Sequence, residues 1–182
     1  MKLFAVVDVE TTGLNPYRYD RIVEIAIVLT LPKCGIVQEL TTIIDPERDI
    51  GPTSIHGLTA SDVVNAPRFN DVAGNLAELL KSVTVLVGHN VRFDVSFLQA
   101  EYKRIGIEMP QYPCLDTMKL AGGGTLSACC SEHGIEFGGK AHAAIYDARA
   151  TAELLSKLLE KESDLLDDCM SYKAQIWPRY PV

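Results

Sequence analysis

Apolar and polar positions follow two rhythms along the chain, and the change from one to the other outlines its elements. Leu3 to Val9 is an apolar, β-branched run that reads as a buried strand. The following TTGLNP, with Gly13 and the Asn15-Pro16 pair, turns the chain. Ile22 to Thr30 reads as a second strand and Gly35 to Ile44 as a third, carrying Val37, Ile43 and Ile44. Their short links predict antiparallel neighbours. Thr59 to Asp62 fits a capping box that opens a short helix. Val72, Leu76, Ala77 and Leu80 have helical spacing within Phe69 to Leu80, and Val83 to Val87 reads as a fourth, buried strand. Arg92 to Ile105 is helical and stops at Gly106. A short helix is predicted from Leu115 to Ala121, broken by Gly122-Gly123-Gly124. Thr125 caps the next, with Leu126, Cys129 and Cys130 facing inward, ending near Gly134. The strongest helix runs from Ala144 to Glu160, with Ala148, Ala152, Leu155 and Leu159 on one stripe.

An antiparallel strand group followed by strand–helix alternation predicts a mixed-sheet α/β domain. At 182 residues and 47% hydrophobic content, the chain suits one domain with a sizeable core. The stretch from Lys161 to Val182 differs, with the polar run Glu162 to Asp164 and then Trp177-Pro178-Arg179-Tyr180-Pro181. It reads either as a helical tail docked on its own domain or as a peptide-like element that binds a partner. No stretch approaches the ~20 apolar residues of a membrane span, and the apolar run before Asp8 is too short for a secretory signal. Cys34, Cys114, Cys129, Cys130 and Cys169 show no metal-binding spacing. They are expected to be reduced thiols of a cytoplasmic protein.

The carboxylates change the picture. Asp8 and Glu10 end the first apolar run, Asp94 lies between Phe93 and Val95, and Asp147 follows Ile145 and Tyr146. Residues two apart on a strand share a face, so Asp8 and Glu10 aim into one space at or just beyond the strand end. Two carboxylates 4 Å apart repel by roughly 4 kcal/mol at an effective dielectric near 20. Hard divalent cations are the usual remedy, because carboxylate oxygens match them. His142 stands about one helical turn before Asp147, where imidazole suits a general base near neutral pH. The pattern is that of a metal-dependent hydrolase. The net charge of −7 disfavours a broad duplex footprint, yet two bound divalent cations would offset about four of those charges. Arg92, Lys103, Arg104, Lys140 and Arg149 remain as candidate basic contacts near the motifs.

The three segments VVDVETTGLNP, GHNVRFDVSFL and HAAIYDARATAELL resemble the DEDD exonuclease family in its histidine subtype, the group containing bacterial proofreading exonuclease subunits. SIHGLTASDVVNAP resembles the same group, and the likeness runs from about residue 3 to 160. The tyrosine subtype would need Tyr where Ala143 stands. The resemblance implies a ribonuclease-H-like fold: a mixed sheet of three antiparallel strands with two parallel additions, and helices on both faces. The exonuclease domain would span 1–162, with 163–182 as the tail. The implied activity is 3′–5′ hydrolysis at single-stranded or frayed DNA ends, releasing nucleoside 5′-monophosphates. RNA ends or short oligoribonucleotides are the alternative substrate, and a non-catalytic nucleic-acid or polymerase-binding module the alternative class. Asp8, Glu10, Asp94 and Asp147 would hold two Mg²⁺ or Mn²⁺ ions, and His142 would take the proton from the attacking water. Thr11, Gly13, Leu14, His56 and Asn90 would contact substrate. The implied partners are nucleic acid with a free 3′ end, DNA before RNA, and a polymerase.

Overall fold

Strand β1 (Phe4–Thr11) is the central strand of the sheet, and almost every residue in it is buried. The computed structural model describes residues 3–31, 35–136, 138 and 143–161. β1 pairs antiparallel with β2 (Ile22–Leu31), which pairs antiparallel with β3 (Gly35–Ile43). On its other side β1 pairs in parallel with β4 (Val85–Gly88), and β4 with β5 (Cys114–Asp116). The sheet order is therefore β3-β2-β1-β4-β5, with three antiparallel strands and two parallel additions as expected.

Helix α1 (Thr53–His56) and helix α2 (Ala60–Val63) precede α3 (Phe69–Leu80), and α4 (Val91–Arg104) links β4 to β5. After β5 come α5 (Thr117–Leu120), α6 (Leu126–Glu132) and α7 (Ala144–Lys161). The period-two rule divides the strands between two cores. Ala5, Val7, Val9, Ile25, Ile27 and Leu86 pack with α3 and α4 on one face. Phe4, Val6, Ala26, Val28, Val85 and Val87 pack on the other with Ala144, Ala148, Ala152, Leu155 and Leu159 of α7. Small residues along α7 let its backbone approach the sheet closely, which brings the start of the helix over the carboxyl-terminal half of β1.

Three local expectations need correction. Leu115 and Asp116 are strand, not helix; only Thr117–Leu120 is helical. A three-residue edge strand is too short to show alternation, and Asp116 ends it by accepting the Met118 N–H at 3.2 Å to cap α5. β1 also continues to Thr11, so Asp8 and Glu10 lie inside the strand. Ile44 falls beyond β3 but is buried, where its N–H donates to the Val23 carbonyl. Helix α1 has no apolar period to announce it. Thr125 caps α6 as expected, accepting from the Ala128 N–H at 3.3 Å. Cys34, Lys140, His142 and the tail from 162 to 182 lie outside the described residues; Cys114, Cys129 and Cys130 are free thiols. Among the described residues, no helix is long and apolar enough to cross a membrane.

Candidate active site

Four segments meet at the carboxyl end of β1. The pairing of β4 with β1 ends at Val6, because β4 turns at Gly88 into α4. The edge of β1 beyond that point would be left with an unpaired N–H. Asp94, on the first turn of α4, fills the gap: its Oδ1 accepts the Val9 N–H at 3.1 Å. The turn is tight. A Cβ on Gly88 would stand 3.0–3.2 Å from Val91 and the Asp94 carboxylate, and Asn90 adopts a left-handed φ of 74°.

Asp8 and Glu10 continue the face that begins with Phe4 and Val6, so they point toward α7. Asp147 lies one turn after Ala144 on the sheet-facing side of that helix. One carboxylate oxygen each from Asp8, Glu10 and Asp147 lies within 4.8 Å of the others. The residue opposite Asp8 in register is Ala26, whose methyl takes up little of the space between them. The structure thus brings together Asp8, Glu10 and Asp147, with Asp94 adjoining Asp8 and outside that tight trio.

The crowding has an electrostatic consequence. Burial, followed by the charges of Asp94, Asp147, Glu10 and Glu24, holds the Asp8 carboxyl well above its usual range. Burial and then Asp147 and Glu24 push Glu10 up to about 8. Asp94 is raised too, chiefly by burial, against the lowering effect of its backbone hydrogen bonds. Among the described residues, no lysine or arginine pairs with Asp8 or Glu10. Such an all-oxygen donor set fits a hard divalent cation.

The remaining expected residues vary. Thr11 is buried and its hydroxyl donates to the Gly13 carbonyl at 2.7 Å. A Cβ on Gly13 would meet the Asp20 carboxylate at 2.5–2.7 Å, so that side chain would have to shift to admit one. Leu14 is 84% exposed. Asn90 is exposed beside the site and its N–H donates to Asp116 at 2.9 Å. His56 is buried and turned into its own loop: Nδ1 accepts the Leu58 N–H at 3.1 Å, and Nε2 meets the Ile50 carbonyl at 3.1 Å. Of the basic candidates, Arg149 pairs with Glu39 and Arg104 with Glu101.

With this geometry in view, the family model described as RNase_T exonuclease matches residues 5–155. The chain belongs to this exonuclease family. It is 33% identical over 179 residues to the DNA polymerase III subunit epsilon of Treponema pallidum, spanning 93% of this chain and 82% of that one. It is also 32% identical over 183 residues to the DNA polymerase III PolC-type of Bacillus cereus, but spans only 12% of that much longer protein. The fold superimposes with a TM-score of 0.73, at 17% identity, on the nuclease domain of 3'hExo, a DEDDh family member bound to rAMP. That match covers 97% of this chain and 98% of the other. The resemblance to DEDD exonucleases holds, and so does the ribonuclease-H-like sheet expected from it.

Two acids beside the carboxylate cluster went unnoticed in the sequence. Glu24 sits directly across from Glu10 in the β1–β2 register, and its Oε2 accepts the Ala144 N–H at the start of α7 at 3.1 Å. Burial raises its carboxyl above the ordinary range. Asp116 closes the other side and raises Asp94 through its charge. Glu24 was readable as an acid in an apolar strand; that it faces Glu10 depends on a cross-strand register that no local pattern shows.

Proposed function

We propose that this exonuclease removes nucleotides from the 3′ end of single-stranded or frayed DNA, releasing nucleoside 5′-monophosphates. The observation that carries the reading is the convergence of Asp8, Glu10 and Asp147 within 4.8 Å, with Asp94 beside them. These four carboxylates would hold two divalent cations, Mg²⁺ or Mn²⁺. The chemistry supplied there on binding is activation of a water and stabilisation of charge on the departing 3′-oxygen. His142, assigned by the family resemblance alone, would take the proton of that water at an imidazole nitrogen. The exposed Leu14 wedges beside the terminal base, while backbone at Thr11 and Gly13 approaches the terminal nucleotide. Asn90 stands where α4 begins, in reach of the same space. His56 supports the site by fixing the loop from Ile50 to Leu58, since both of its ring nitrogens are occupied there.

The DNA reading rests on the epsilon-type relative; the rAMP bound to the structural neighbour favours RNA ends as the second reading. A polymerase partner is proposed on the same relative, with residues 163–182 as its candidate contact and 1–162 as the nuclease domain. Matched end-labelled DNA and RNA single strands, incubated with Mg²⁺, Mn²⁺ or chelator, test the proposal. The expected result is metal-dependent release of mononucleotides from the 3′ end, faster on DNA, and abolished by Asp8→Ala. Undiminished release by that variant would refute the assignment.

A further inference from the structure

The loop between β1 and β2 displays large apolar side chains to solvent: Tyr17 is 75% exposed and Tyr19 80%. Exposure of this kind on a floppy loop would mean little, but this loop is held from several sides. Asp20 accepts the Asn15 N–H at 2.8 Å and pairs with Arg48 at 3.1 Å. From α4, Arg104 donates to the carbonyls of Pro16 and Asp20. Arg104 is itself fixed by Glu101, a buried acid that also binds Arg21 at 2.7 Å. An aromatic ring presented on a braced backbone is a preorganised contact.

Tyr17 also forms one wall of a cleft of about 580 Å³ between α4 and the β5–α5 segment. Arg92 and Lys119 line the cleft, both exposed. Among the described residues, neither has a carboxylate within ion-pair distance, unlike Arg21, Arg48, Arg68, Lys81, Arg104 and Arg149. The acid at its inner end, Asp116, already accepts two backbone N–H groups on Oδ1. Val91 lines the same cleft one turn before Asp94, so the cleft opens beside the acidic site. In a chain of net charge −7, an aromatic ring with two uncommitted cations beside a phosphodiester-cleaving centre has the chemistry of a single-strand track.

We propose that this cleft carries the nucleotides upstream of the scissile bond, Tyr17 stacking on a base and Arg92 and Lys119 contacting phosphates. The inference rests on the exonuclease reading above and extends it to substrate length. Tyr19 lies on the same loop but does not line the cleft, which makes it the internal control.

The test compares fluorescence-anisotropy binding of an eight-nucleotide single strand with hydrolysis of the p-nitrophenyl ester of thymidine 5′-monophosphate, which has no upstream nucleotide. Tyr17→Ala should weaken strand binding by ~5- to 160-fold, the range of one lost base stack. Tyr17→Phe should restore it, and Tyr19→Ala should leave it near wild type. Replacing Arg92 or Lys119 by Gln should lower the log–log salt slope by about 0.7 each. Ester hydrolysis should stay unchanged in all of these variants. Wild-type strand affinity in Tyr17→Ala, or equal losses for Tyr19→Ala and for ester hydrolysis, would overturn the track while leaving the exonuclease reading intact. If the wild type, supplied with Mg²⁺ or Mn²⁺, hydrolyses neither the ester nor the same eight-nucleotide strand, the exonuclease reading itself fails.

Discussion

The two halves of the contact between β1 and α7 share a strand face and a helix, yet they are built for opposite ends. Phe4 and Val6 pack with Ala152, Leu155 and Leu159 in an apolar core, each fully or nearly buried. Two to four residues further along, the same face carries Asp8 and Glu10 against Asp147. The first half is held by apolar burial, worth roughly 25 cal/mol per Å². The second places like charges at close range in a poorly solvated space, and it opposes folding until something neutralises it. The apolar half therefore anchors a geometry that the acidic half could not hold alone. Natural sequences depart from local consistency at functional sites, and this departure falls within a single strand.

Breaking the apolar half should produce the largest change in stability. Phe4→Ala, which empties a fully buried site, should cost ~3–5 kcal/mol in denaturant unfolding. Activity per folded molecule should be retained, because the acids are untouched.

Breaking the acidic half should do the reverse. Glu10 has a folded pKa of about 8 against an ordinary value of 4.5. The folded state thus binds more protons between those values, and stability falls as pH rises through that window. The metal-free protein should be most stable below about pH 4.5 as far as this group is concerned, losing that contribution by pH 8. Glu10→Gln should remove this part of the slope and melt higher than wild type at pH 8 without metal, while losing nuclease activity. A Glu10→Gln variant that melts lower than wild type there would contradict the electrostatic argument.

Glu24 belongs to the acidic half, across from Glu10, and should give the smallest effect. Its carboxylate crowds Glu10 but also accepts the Ala144 N–H. Glu24→Ala should cost at most ~0.5–2 kcal/mol, the range of a lost helix cap, partly offset by relief of repulsion at high pH. Thermal melts at pH 5 and pH 8 would read both contributions, with the larger loss at pH 5.

How much of this was legible beforehand follows the range of the signals. Asp8 and Glu10 could be placed on one face because a strand repeats every two residues. Asp147 stood out as an acid at the start of the strongest helix, just before the Ala148, Ala152, Leu155 stripe. Asp94 stood out as an acid at a strand-to-helix turn, although its bond to Val9 depends on where β4 stops pairing. Sequence periodicity cannot report that. The same reason hides Glu24, whose importance is a matter of register, and β5, three residues long and settled by its neighbour β4. His56 was marked by the resemblance as a substrate contact; the structure shows a ring engaged on both nitrogens by its own loop.

The central claim is that the acidic half of this contact is completed by divalent cations. Calorimetric titration of Mn²⁺ or Mg²⁺ into the metal-free protein at pH 8 tests it most directly. Saturable binding with proton release is expected in the wild type and should be lost in Asp8→Ala. A wild-type protein that takes up no divalent cation, or a variant that binds it equally well, would contradict the account.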